Sequence, residues 1–187
     1  MSGTLQVGGV TLATHTESPS TLTLDSGVVF PAGGTGNAIS VAVIVDEKPS
    51  GTSSGDFTSG DWRDRDLNTE ISDPDSIVSI SSNQFTLGAG TYFIEWSCPA
   101  YRVNGHKSRL YDVTGTSALA IGSTALTDPN DATTNTSIGS FLHTITGNNI
   151  YKIQHQASST KTSNGLGTVS GFSTVEIYTI VKITKLK

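Results

Sequence analysis

Residues 84–99 read Gln-Phe-Thr-Leu-Gly-Ala-Gly-Thr-Tyr-Phe-Ile-Glu-Trp-Ser-Cys-Pro: a strand, a glycine connection and a strongly apolar second strand with no residue to spare. Phe85 and Leu87 alternate with Thr86, the period of two that a strand with one buried face requires. Gly88 and Gly90 supply free φ angles, after which Tyr92, Ile94 and Trp96 share one face and Phe93 lies opposite them. No window elsewhere keeps helical periodicity over several turns. The chain reads as all-β.

Strand signals recur at regular spacing from Ala38 onward. The run 39–45 is β-branched and nearly continuous in apolar residues, as a strand covered on both faces should be. Residues 46–60 are Gly/Ser-rich with Pro49 and read as a long loop. Asn104-Gly105 between the runs 101–103 and 106–113 reads as a hairpin turn. Further strand runs at 118–126, 137–145, 150–155 and 172–186 are parted by polar loops. About eight to ten strands at this spacing indicate a sandwich or jelly roll.

Residues 1–37 are different in kind. Leu5, Val7, Val10, Leu12, Leu22, Leu24, Val28, Val29 and Phe30 are scattered among Gly and Thr, and Gly33-Gly34-Thr35-Gly36-Asn37 closes the region as a flexible linker. So few apolar residues hardly build a core, but they suit an extended arm that docks on another surface. The expected division is an attachment arm and linker, 1–37, followed by a head domain, 38–187.

The last strand carries an expectation of assembly. By simple alternation Val175, Ile177, Val181 and Ile183 share one face, and Phe172, Tyr178 and Ile180 the other. Two apolar faces imply either a neighbouring subunit or a central strand buried within one chain. The candidate contact residues are Phe93, Phe141, His143, Tyr178 and Ile180, with His143 the best placed for a histidine trio on a symmetry axis.

Chemistry is sparse. The chain has 187 residues, of which only 14% are charged, and a net charge of −5, which argues against phosphate-backbone binding by a basic patch. A single cysteine, Cys98, excludes an internal disulfide framework and reads as a small core hydrophobe. His15, His106, His143 and His155 lack metal-ligand spacing and read as surface or interface residues. The alternating Arg63, Asp64, Arg65 and Asp66 read as a locally paired set rather than a glycosidase acid pair. Asp128-Pro129-Asn130-Asp131 reads as a polar turn without the spaced acids of a calcium loop. No serine-nucleophile or phosphate-loop motif is present. The expectation is no enzyme, no cofactor, no metal site, no nucleic-acid partner, no membrane insertion and no secretion signal.

From Arg65 to Leu110 the chain resembles a module widespread in bacteriophage structural proteins and tail-fibre tips. The landmarks are Arg65-Asp66-Leu67-Asn68-Thr69, Ser81-Ser82-Asn83-Gln84-Phe85-Thr86-Leu87, Gly90-Thr91-Tyr92, Pro99-Ala100-Tyr101 and Ser108-Arg109-Leu110-Tyr111. Ile153-Gln154-His155 and Gly171-Phe172 extend the likeness over roughly residues 38–187. Phe93-Ile94-Glu95-Trp96 is bulkier than usual for that module. The resemblance implies an antiparallel jelly roll like that of complement and tumour-necrosis-factor domains, assembled as a tight trimer. Gly3-Thr4-Leu5-Gln6-Val7 through Val28-Val29-Phe30-Pro31-Ala32-Gly33 is similar to the attachment leaders of short phage fibres.

Two classes of function follow. The first is a non-enzymatic virion protein joined to a tail or capsid protein by its arm: a short tail fibre or host-adhesion protein, or alternatively a capsid decoration protein. The second is a carbohydrate-active spike, disfavoured by the short chain and the missing carboxylate cleft. Host-surface glycan binding, if present, is expected in the polar loops 48–60, 127–135 and 158–168.

Overall fold

The computed structural model describes residues 39–186 in full and, before them, only the backbone of three strands. The chain divides into two compact units, Met1–Ala38 and Ile39–Lys187. In the first, β1 (Gly3–Val7), β2 (Val10–Glu17) and β3 (Ser20–Leu24) pair as an antiparallel meander. Leu5, Val7, Val10, Leu12, Leu22 and Leu24 stand on these strands; their side chains, and Val28, Val29 and Phe30 altogether, lie outside the described residues.

The second unit is a sandwich of two antiparallel sheets. The front sheet has five strands: β4 (Ser40–Lys48), β6 (Thr69–Ser72), β9 (Gly90–Tyr101), β13 (Thr134–Ile145) and β15 (Glu176–Lys185), in the order β13-β9-β15-β4-β6. The back sheet runs β11 (Ser117–Ile121), β10 (Gly105–Asp112), β14 (Asn149–Ala157), β8 (Gln84–Leu87), β7 (Val78–Ser81). The short β5 (Arg63–Asp64) and β12 (Ala125–Leu126) pair with β14 and β10 respectively.

Alternation builds the core. Tyr92, Ile94, Trp96 and Cys98 of β9 point inward with Ala42, Ile44, Val181 and Ile183, and meet Phe85, Leu87, Leu110, Tyr151 and Ile153 of the back sheet. Cys98 is a buried core residue, and burial pushes its thiol up to about 11. The glycine connection after Leu87 takes the chain from one sheet to the other, so β8 and β9 face each other across the core.

The Asn104-Gly105 segment does the same. Its strong hairpin signal is misleading, because β9 and β10 belong to different sheets and never pair. Arg102 and Asn104 hold positive φ angles of 56° and 62°, which bends the chain through the inter-sheet arch instead. The tight hairpin is β7–β8, where Ser82 (φ 53°) and Asn83 (φ 62°) form the two-residue turn between paired Ser81 and Gln84.

Trp96 joins the two sheets through a polar contact. Its indole N–H donates to Ser108 Oγ at 2.8 Å, and Ser108 Oγ lies 2.8 Å from Ser137 Oγ, which reaches the Ser123 carbonyl at 2.7 Å. Gly139 on β13 makes room for the indole, since a Cβ there would come within 2.1 Å of the Trp96 ring. Gly139→Ala should therefore force Trp96 off its serine partner and cost about 1–3 kcal/mol. Urea unfolding measures this; an unchanged midpoint would show that the ring moves aside freely.

Candidate subunit interface

Strand register places one apolar surface on the outer side of the front sheet. Across it, Ile138, Ser97 and Ile180 form one row that ends at the buried Val45; Ser140, Glu95, Lys182 and Val43 form the next; Leu142, Phe93, Thr184 and Val41 form the third. Ile138 (57% exposed), Leu142 (59%) and Ile180 (40%) lie open on it. Glu95 and Lys182 pair at 3.2 Å in the middle. Together with Ser97, Ile138, Ser140 and Ile180 they line a shallow open depression.

The expected contact residues divide between the two sides of the sheet. Phe93 and Ile180 lie on the outer face. Phe141 and His143 point inward: Phe141 packs on the core, and the His143 ring meets Tyr151 edge-on at 5.9 Å. Tyr178 also lies inside, which corrects its outward assignment. The cause is a β-bulge: Ile177 pairs with Glu47, but Ile180 pairs with Val45, so β15 gains a residue and its face alternation reverses. Tyr178 and Thr179 are consecutive and both buried, and Tyr178 Oη donates to the Thr52 carbonyl at 2.9 Å. Ile138 and Leu142, missed in the sequence, were hidden because β13 carries apolar residues at both parities.

The charged run before β6 is not paired within itself. Asp64 takes Lys152 at 3.0 Å and Asp66 takes Lys48 at 2.6 Å, while Arg63 donates to the Thr58 carbonyl. Arg65 is fully buried, with no carboxylate in ion-pair contact among the described residues. Its Nε donates to Thr179 Oγ1 (2.7 Å), Nη1 to the Pro99 carbonyl (3.2 Å) and Nη2 to the Leu166 carbonyl (2.8 Å). Beside it, His106 Nδ1 and His155 Nε2 share a hydrogen bond of 2.9 Å, and both rings are buried rather than exposed as the sequence suggested. Burial pulls His106 down to about 4 and His155 well below its ordinary value, with the Arg65 charge acting in the same direction.

These groups organise one end of the sandwich. Phe57 and Lys161 exchange backbone hydrogen bonds at 2.9 and 3.0 Å, tying loop 48–60 to loop 158–168. Phe57, Ala100, Val103, Ala157 and Leu166 pack beneath as a second small core. The Val103 N–H donates to Thr127 Oγ1 at 2.8 Å, which brings in loop 127–135. The Asp128–Asp131 turn is held by Arg102, which donates to the Pro129 and Asn130 carbonyls at 3.0 and 2.7 Å. Among the described residues no three His, Cys, Asp or Glu side chains gather as metal ligands, and no helix is long and apolar enough to cross a membrane.

No family model and no curated protein matches the sequence. The structure is similar to the Eiger TNF of S. frugiperda, at 10% identity over 80% of this chain and 93% of that one, with a TM-score of 0.53. Murine APRIL matches at 10% identity over 79% and 99% of the two chains (TM-score 0.51). The globular domain of zebrafish complement 1qA matches at 13% over 79% and 97% (TM-score 0.50). The likeness is one of fold: the second unit is a TNF/C1q-like antiparallel jelly roll.

The buried histidines give a pH dependence. In the unfolded chain each binds a proton near pH 6.5, whereas in the fold His106 stays neutral down to about 4 and burial holds His155 well below its ordinary value. Between these limits the unfolded state holds more protons, so their stabilisation is complete above pH 6.5 and is lost as pH falls toward 4. His106 should remove about 1.4 kcal/mol of unfolding free energy per pH unit in that window, and His155 adds to the slope in the same direction. Urea titrations at several pH values check this. His155→Gln should flatten the dependence, and an unaltered slope would assign it to the carboxylates instead.

Proposed function

We propose that this chain is a non-enzymatic structural protein of a bacteriophage virion, a homotrimer of jelly-roll heads anchored to another virion protein through residues 1–37 and serving as a short tail fibre or host-adhesion protein. The observation that carries this reading is the apolar outer face of the front sheet. A monomer rarely leaves so many large apolar side chains together in water.

The same surface supports a ring rather than a simple pair. Around a threefold axis each subunit must offer two different, complementary patches. The outer face with Phe93, Ile180, Val41 and Val43 is one. The other is the β11–β12 edge beside β13, which exposes Ile121 and Leu126. An edge inserted into a neighbour's depression buries both patches and closes the ring. The sequence resemblance to phage fibre modules supplies the virion setting, and the polar end loops suit weak host contacts strengthened by threefold avidity.

Sedimentation equilibrium at micromolar concentration should give three times the 19.5 kDa chain mass. Leu142→Glu with Ile180→Glu should yield folded monomers, because both side chains are exposed in the single chain and only the interface is charged by the change. A monomeric parent, or a double variant that still trimerises, would overturn the assembly.

A chain beginning at Ala38 should keep the head fold and its assembly but fail to join particles when supplied during phage growth. Particles that still incorporate the shortened chain would remove the attachment role of residues 1–37. Incorporation of the full chain at capsid rather than tail stoichiometry would move the protein from fibre to head decoration.

A further inference from the structure

On the outer side of the back sheet, beside the β11 edge where Arg109 pairs with Ile121, one arginine is held in position with part of its donor set unused. Arg109 of β10 lies in a row with Gln154 of β14 and Asp64 of β5. Its guanidinium carbon sits 4.1 Å from the Trp62 ring centre and 5.0 Å from that of Tyr111. Arg109 Nε donates to Gln154 Oε1 at 2.8 Å. Gln154 Nε2 in turn donates to Asp64 Oδ1 at 2.8 Å, and Lys152 Nζ binds Asp64 Oδ2 at 3.0 Å. Lys152 Nζ also lies 5.5 Å from the Tyr111 ring centre, which closes the cluster.

This arrangement immobilises the guanidinium before any ligand arrives. Stacking on Trp62 and Tyr111 restricts its plane, and the bond to the buried Gln154 fixes its rotation. Asp64, the nearest acid in the row, is engaged by Gln154 and Lys152. Among the described residues neither Nη of Arg109 has a hydrogen-bond partner. A planar fork with two free parallel N–H groups fits a carboxylate in bidentate fashion. Aromatic rings flanking such a fork suit the C–H faces of a sugar.

The neighbouring surface continues the match. Lys107 and Gln156 form the next row along the same face, and Gln156 Nε2 donates to the Gly60 carbonyl. Both residues line a groove with Ser59, Thr124 and Ser158, a wall of hydroxyl, amide and ammonium groups. A saccharide with its acid group on Arg109 would lay its remaining hydroxyls along this groove.

We propose that Trp62, Arg109 and Tyr111 form a binding site for a carboxylate-bearing sugar, of the uronic or nonulosonic acid type, with Lys107 and Gln156 extending it to an adjacent residue of the chain. The site deepens the host-adhesion reading, and rests on it only for biological purpose. Its residues all come from one subunit, so the site is complete in a single chain, although it borders the β11 edge at Ile121.

The test is NMR titration of the full-length protein with sodium glucuronate and with N-acetylneuraminic acid. Methyl glucuronate ester, glucose and sodium sulfate are titrated in parallel. Either acid should shift the Trp62 indole and Arg109 Nε–H resonances and leave the buried Trp96 indole unmoved. The ester and glucose should bind at least tenfold more weakly, as should the acids to Arg109→Lys, which keeps the charge and loses the fork. Trp62→Ala should weaken the acids several-fold with unchanged sedimentation. Absence of acid binding at millimolar concentration, equal binding to Arg109→Lys, or equal binding of the neutral sugars would overturn the proposal. Sulfate binding as tight as that of the sugar acids would reduce the site to a general anion site and overturn its saccharide assignment. None of these failures touches the trimer, which sedimentation decides separately.

Discussion

The buried Arg65 guanidinium and the β15 bulge beside it set the geometry on which the other surfaces depend. Arg65 donates at once to the bulged Thr179, to the end of β9 at Pro99 and to the 158–168 loop at Leu166. Three segments far apart in sequence are thereby fixed to one planar cation. Losing any acceptor would leave part of that cation buried and unsatisfied, at a cost of about 1–3 kcal/mol or more. Because Thr179 is held inward, β15 must carry an extra residue opposite β4, and everything after it changes face. Ile180 and Lys182 therefore look outward, and Val181 and Ile183 fill the core.

That reversal separates what the sequence reveals from what it conceals. The alternation of Phe85 with Leu87, and of Tyr92 with Ile94, Trp96 and Cys98, is undisturbed in the structure, so the all-β class and the core strands were legible. Parity fails where a bulge intervenes. Tyr178 and Ile180 lie two residues apart yet on opposite sides of the sheet. Local rules fail again at Asn104-Gly105, because a turn-forming dipeptide reports a reversal of the chain and not which strands pair across it. His106 and His155 became partners through the pairing of β10 with β14, which no spacing announces.

Polar groups are used here to connect distant segments more than to react. Trp96 reaches Ser108 across the sandwich, the histidines share a hydrogen bond beside Arg65, and Asp64 and Asp66 take lysines from other strands. Such contacts hold the end loops firmly. They leave two surfaces with unmet demands: the apolar outer face of the front sheet, and the stacked Arg109 on the back. In the proposed reading, a neighbouring subunit meets the first and a ligand the second.

Hydroxyl-radical footprinting of the full-length protein tests most directly whether the front face is buried in an assembly. In the single chain, Ile180 and Ile150 have nearly equal exposure, 40% and 38%, on opposite sheets, and Ile138 and Leu142 are more open than either. The account predicts that Ile138, Leu142 and Ile180 are oxidised several-fold more slowly than Ile150. Oxidation rates that follow single-chain exposure, with Leu142 and Ile138 the fastest, would contradict it.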